Sequence, residues 1–263
     1  MRYLSKKNRA ILREMVSTDF KIRYQGSVLG YMWSVLKPLF LFAILYVIFT
    51  YVFKVGKNIE HYPVYLLLGV VLWNFFTEAT VVGASSVVAH GDLIRKISIP
   101  RYLVVISSSV SALINLALSL LVVVTIALIN GLRPETSWLM VPLLLLELFA
   151  FALAVAFILS AAYVKYRDIT YIWEIMLQAG FYASAILFPL QLVPLQYQKW
   201  FFLNPIVQIV QDVRYSAVTH QTITMWDKVR PIFTIYPFVV IILVSVVARI
   251  YFKKQSKFFA ENI

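Results

Sequence analysis

Apolar residues in this chain gather into six runs, roughly Ser34–Phe53, Pro63–Val82, Leu103–Ile129, Leu139–Val164, Tyr171–Leu190 and Ile232–Tyr251. Each is close to the ~20 residues that an α-helix needs to cross the hydrocarbon of a bilayer. The third and fourth are the longest and are expected to tilt. Ahead of the first run the pattern changes to a helical stripe. Leu4, Ile11, Leu12, Met15, Val16 and Phe20 fall near one face, and Lys6, Lys7, Arg9 and Arg13 mostly on the other. That pattern predicts an amphipathic helix lying at a membrane interface. Between the fifth and sixth runs the chain is too apolar for an ordinary loop and too broken by Pro189, Pro194 and Pro205 for one span. Short re-entrant helices fit there, because irregular backbone at membrane depth is tolerated where protein or a cavity covers it.

The fold class is therefore an all-α integral membrane protein. It has six transmembrane helices, an N-terminal amphipathic interfacial helix and short re-entrant helices before the last span. The expected parts are an N-terminal cytoplasmic segment (1–33), a membrane domain (34–251) with a cytoplasmic segment at 85–102 and an external one at 185–231, and a cytoplasmic tail (252–263).

Composition strengthens this reading. Hydrophobic residues make up 61% of the chain and charged residues 14%, against about 25% charged in soluble domains. The mean hydropathy is +0.81. No cysteine is present, which leaves no disulfide framework and no thiolate metal site. "MRYLSKKNRAILREM" lacks the apolar core of a secretory signal. With both termini inside, 17 of the 24 Lys and Arg residues fall on the cytoplasmic side and 7 outside, as the positive-inside rule asks. That bias explains the net charge of +12 without a nucleic-acid partner.

Familiar reaction chemistry is missing. There is no G-x-x-x-x-G-K-[ST], so this chain has no means of its own to cradle a nucleoside triphosphate. No H-E-x-x-H or G-x-S-x-G occurs, and His61, His90 and His220 stand far apart. We expect no catalytic residue, no metal site and no cofactor bound by this chain. Glu78, Glu147 and Glu174 lie within or near the ends of apolar runs. A charge at a helix centre costs roughly 2.5–3.5 kcal/mol on insertion scales, so each is either neutral or paired at a helix interface or part of a proton or cation relay. Lys37 and Arg249, the cations inside the runs, sit near span ends and make no relay. Aromatic clusters at Trp73, Phe75 and Phe76 and at Trp200, Phe201 and Phe202 suit either packing or stacking on sugar faces.

Five motifs, kept in order along nearly the whole chain, carry a family resemblance. "TDFKIRYQGSVLGYMWSVLKPL" resembles the N-terminal signature of ABC-2 type permeases that export bacterial cell-surface polysaccharides, with Asp19, Lys21, Arg23, Tyr24, Ser27, Leu29, Gly30, Trp33 and Pro38 in the matching positions. "LLLGVVLWNFF" looks like the family's second span and "LIRKISIPRYLVV" like its cytoplasmic stretch before the third. "YRDI" at Tyr166–Ile169 and "LNPI" at Leu203–Ile206 match later segments. The similarity is to permeases for O-antigen, rhamnan-type polysaccharides and wall teichoic acid.

The resemblance implies a homodimer in the bacterial cytoplasmic membrane, joined by two copies of a separate ATPase subunit that holds ATP and Mg. It also implies a substrate glycopolymer linked through pyrophosphate to undecaprenol. On that basis Arg13, Lys21 and Arg23 would meet the lipid pyrophosphate, and Tyr31, Trp33, Trp73, Phe75 and Phe76 would be channel aromatics. Leu93, Ile94, Arg95, Lys96, Ile97 and Arg101 would couple to the ATPase. Tyr166, Arg167 and Asp168 form the cytoplasmic loop motif, and Asn204 and Pro205 the external gate. Gly26 and Gly30 would let helices approach closely, and Trp33 would anchor at the headgroups. The alternatives are an ABC-2 exporter of drugs or small lipids, a proton-coupled carrier using Glu78 and Glu147, and a membrane scaffold.

Overall fold

The computed structural model describes residues 6–24, 27, 29–55, 59–96, 99–228 and 235–259. Among them every regular element is helical and no strand occurs. In chain order the helices are α1 (Lys6–Tyr24), α2 (Trp33–Val47), α3 (Tyr62–Ala89), α4 (Gly91–Lys96), α5 (Arg101–Ile129), α6 (Val141–Lys165), α7 (Ile169–Ala183), α8 (Leu195–Phe201), α9 (Pro205–Ala217), α10 (Met225–Lys228) and α11 (Tyr236–Gln255). A π-turn over Ile48–Val52 prolongs α2, and a 3-10 turn over Thr136–Met140 leads into α6.

Five of these stretches are long and apolar enough to cross a membrane: Trp33–Val52, Tyr62–Ala89, Arg101–Ile129, Thr136–Lys165 and Tyr236–Gln255. The expected fifth run, Tyr171–Leu190, does not form one long helix. Its helix α7 has 15 residues and so spans about 22 Å, short of the ~30 Å of hydrocarbon. It stops because Ala185 takes a left-handed φ of 51°, which an α-helix cannot continue through.

α3 is the axis of the bundle. A helix apolar on all sides belongs in a protein interior, and α3 is 72% buried over its apolar window. It packs mainly on α5 and α6, with α2, α7 and α9 completing its surround. Lipid tails are as apolar as leucine, so helices in a membrane are held by close packing and polar contacts rather than by hydrophobic expulsion. Both kinds are present. A Cβ added at Gly83 would lie 2.6 Å from the Ala156 Cβ, so the bare backbone of α3 rests on the Ala156 methyl of α6 there. Gly180 of α7 is covered by the Trp73 ring, 2.8 Å from where a Cβ would stand. Asn115 of α5 donates to Glu78 of α3 at 2.6 Å, and Trp173 of α7 donates to the Thr80 hydroxyl at 2.9 Å. Four buried serines of α5 bond back to their own helix, Ser107 to the Val104 carbonyl, Ser108 and Ser109 to that of Val105, and Ser111 to that of Ser107, the usual way a helix satisfies an interior hydroxyl.

Candidate functional site

At the end of the bundle that gathers α1, α4 and the start of α5, Asp19 of the N-terminal signature meets His90 and Ser107. α1 lies against α5. Met15 is buried and Ile11, Leu12 and Val16 are half-buried, so the apolar stripe read from the sequence is spent at least partly on protein. Asp19 is the fastening point. It accepts from the Ser107 hydroxyl at 3.3 Å and faces His90 Nε2 at 3.0 Å. The other ring nitrogen of His90 lies 3.0 Å from the Ser86 carbonyl. A doubly protonated imidazole satisfies both partners at once, and the bond to Asp19 holds the His90 pKa above its ordinary range despite partial burial. Asn8 of α1 also donates to the Tyr102 hydroxyl at 3.1 Å.

Arg13 and Lys21 are exposed on α1. Arg23 lies in α1, but its side chain is outside the described residues, as are those of Tyr24 and Tyr31; Gly26 and Ile97 lie outside them altogether. Gly30 takes a φ of 48° with open space where a Cβ would be. Within one chain its glycine serves a left-handed turn ahead of α2 rather than a close helix approach. Trp33 opens α2 and is half exposed at 45%, in keeping with an interfacial anchor, and Pro38 is buried early in α2.

Of the segment expected to couple to the ATPase, Leu93 to Lys96 lie in the short helix α4 and Arg101 begins α5. Leu93 is half-buried, and Ile94 packs on a cluster that includes Val87, Val105, Val164 and Phe259. Lys96 is exposed, the Arg95 side chain lies outside the described residues, and Arg101 stands over the Phe259 ring at 5.8 Å. The loop motif joins α6 to α7. Tyr166 is exposed beneath Lys165, Arg167 covers the Tyr163 ring at 5.0 Å, and the Asp168 carbonyl starts α7 by accepting from Ile172.

Trp73, Phe75 and Phe76 are buried in the core. Phe76 stacks on Phe151 at 5.6 Å and meets Trp173 at 6.2 Å, and Trp73 meets Phe181 at 6.0 Å. In the single chain these rings pack helices together. Glu78 is bonded to Asn115 as described. Glu147 of α6 faces Gln208 and Asp212 of α9, and Glu174 lies exposed on α7.

The opposite end holds the broken segment. Asn204 caps α9, accepting from Ile206 N at 3.0 Å, and Pro205 occupies the first turn, where no N–H partner is needed. The Asn204 amide also donates to Ser184 at 3.0 Å, tying α9 to the end of α7. The residue that organises this region is Arg214, fully buried on α9. Its Nε donates to the Tyr65 carbonyl at 3.0 Å, Nη1 to Ala185 at 2.9 Å and Nη2 to Ile186 at 2.6 Å. Gly69 leaves the space for the guanidinium. Sequence reading placed Arg214 among external cations and gave it no role. The one hint was a lone arginine in the apolar face of "IVQIVQDVRYS".

Among the described residues the chain is all-helical, with five helices long and apolar enough to cross a membrane, a central α3, a basic helix at one end and a proline-broken segment at the other, which is the architecture of an integral membrane protein. The chain belongs to the ABC-2 type transporter family, whose description matches residues 12–218. It is 27% identical over 257 residues to the O-antigen export system permease protein RfbA of Myxococcus xanthus, covering 97% of this chain and 96% of that one. It is 27% identical over 205 residues to the RfbA protein of Klebsiella pneumoniae, 78% of each chain. The polysialic acid transport protein KpsM of Escherichia coli is 23% identical over 201 residues, 76% of this chain and 78% of that one.

Proposed function

We propose that this protein is the membrane permease of an exporter that carries a cell-surface polysaccharide, linked through pyrophosphate to a polyprenol lipid, out across the bacterial cytoplasmic membrane. It works as a homodimer with two copies of an ATPase subunit on the cytoplasmic side. The observation that carries the reading is the likeness along 97% of the chain to a permease named for O-antigen export, within a family matched over 12–218. The absence of a nucleotide-cradling motif in the sequence favours a separate ATPase.

In this reading both termini are cytoplasmic. α7, with α8 and α9 folding back beside it, makes the sixth crossing and the external gate around Asn204 and Pro205. Arg13, Lys21 and Arg23 receive the pyrophosphate at the inner interface, where arginine's planar fork suits phosphate oxygens. α4 and the exposed Lys96 meet the ATPase.

The test is depletion of the protein in its host, followed by mass spectrometry of extracted lipids and assay of the surface polymer. Export by this permease requires that a polyprenyl-pyrophosphate glycan accumulate inside while the surface polymer falls. Undiminished surface polymer without lipid-linked intermediate would refute it. Loss of drug resistance alone would favour the drug or small-lipid exporter.

A further inference from the structure

A groove of about 1090 Å³ lies between the start of α5, the middle of α6 and the end of α11. Its apolar wall comes from Ala150, Leu153, Ala154 and Phe157 of α6, positions that share one helical face. Ala248 and Phe252 of α11 face them. The alanines are what open the space, since a larger side chain at 150, 154 or 248 would fill it. Arg101, Arg249 and Lys253 also line it, and among the described residues no carboxylate does.

The three cations converge on one groove. Arg249 and Lys253 are four residues apart on α11 and line the same groove, and like charges at that spacing repel. Arg101 opens the 29-residue α5, whose first turn has no side-chain cap, so the positive end of the helix adds to the field. Among the described residues no carboxylate pairs with any of the three. Ser245 and Ser256 already donate to the carbonyls of Ile241 and Lys253, so the hydroxyls do not call for a partner. An anion would offset the repulsion, and the apolar length behind it suits a hydrocarbon chain.

We propose that this groove binds one anionic phospholipid of the inner leaflet. Its phosphate sits among Arg101, Arg249 and Lys253, and an acyl chain lies along Ala150, Ala154 and Ala248. Basic pockets between membrane helices on the cytoplasmic side take lipid headgroups of this kind. The site is built from α5, α6 and α11, apart from the α1 cations assigned to the substrate. It rests on the inward orientation of these helix ends stated above.

Native mass spectrometry of the purified full-length chain, released from detergent with phosphatidylglycerol or phosphatidylethanolamine added, tests this. Wild type should retain one phosphatidylglycerol in clear excess over phosphatidylethanolamine. Arg249→Gln/Lys253→Gln should lose that excess by about tenfold or more, with phosphatidylethanolamine unchanged, whereas Arg249→Lys/Lys253→Arg should keep it. Equal retention by wild type and the glutamine variant overturns the proposal. So does displacement of the lipid by inorganic phosphate, which would mark a simple anion site, or wild type without preference between the two lipids, a result that stands even if a variant fails to fold. Because binding is read on the isolated chain, its failure leaves the export reading untouched, and a failed depletion test leaves this measurement readable.

Discussion

The guanidinium of Arg214 lies over the ring of Tyr65, 3.7 Å from its centroid, while its Nε donates to the Tyr65 backbone carbonyl. One residue of α9 thus grips α3 by both ring and backbone, and with its remaining nitrogens holds Ala185 and Ile186. A non-glycine residue in the left-handed region costs of order 1 kcal/mol, and the Ala185 conformation is held by one of these bonds.

Replacing Arg214 should therefore be expensive. Arg214→Leu strands the Ala185 and Ile186 carbonyls, each worth about 1–3 kcal/mol when buried and unpaired, while the Tyr65 carbonyl keeps only its bond within α3. It should lower stability by about 3 kcal/mol or more, read by thermal unfolding in detergent. Arg214→Lys keeps the charge but not the fork, and should fall between. A leucine variant as stable as wild type would show that the guanidinium is not what holds α9 in place.

The Asp19–His90 pair makes the docking of α1 depend on pH. The bond to Asp19 raises the His90 pKa, so the folded protein holds that proton more firmly than the unfolded chain does. The stabilisation is complete below the ordinary imidazole value of about 6.5 and is lost as pH rises through the raised value. The melting temperature of wild type relative to Asp19→Asn should accordingly be greatest in mild acid and shrink in alkali. A difference that grows with pH would have the wrong sign for this pair.

Gly180 and Trp73 should prove coupled. A side chain at 180 would strike the buried Trp73 ring, and overpacking of this kind costs about 1–3 kcal/mol. Gly180→Val should destabilise by that amount, and Trp73→Leu should recover much of it. Additive losses in the double-mutant cycle would mean that the two positions do not share the space.

The α1 cations divide a substrate role from a lipid role. If Arg23 grips pyrophosphate, Arg23→Gln should blunt stimulation of the ATPase by the lipid-linked polymer while sparing its basal rate, and Arg23→Lys should restore it only in part. Unchanged stimulation in the glutamine variants of Arg13, Lys21 and Arg23, singly and together, would remove the site.

Much of this architecture was legible in the apolar runs, because span length is dictated by bilayer thickness and needs no tertiary knowledge. The break after α7 was not. Its left-handed residue is an alanine, without the glycine or asparagine that would have announced it, and its conformation is held by an arginine 29 positions away. Position alone made Arg214 look like an exterior charge, since burial depends on which helix folds back over which. Glu78 stood alone in the sequence because its partner Asn115 is 37 positions distant. The "LNPI" motif could be matched by resemblance, yet its physical content, a cap and a tie to Ser184, depends on how α7 and α9 meet in the fold.

The three carbonyls held by Arg214 come from two separate stretches of chain, and that fixes how the region can move. α9 cannot drift outward by degrees, because a small displacement would weaken all three bonds together and leave the buried guanidinium uncompensated. Either α9, the 185–186 corner and the facing turn of α3 travel as one rigid block, or the grip fails in a single step. Motion at this end of the molecule is therefore of the latch kind, with two positions and little between them.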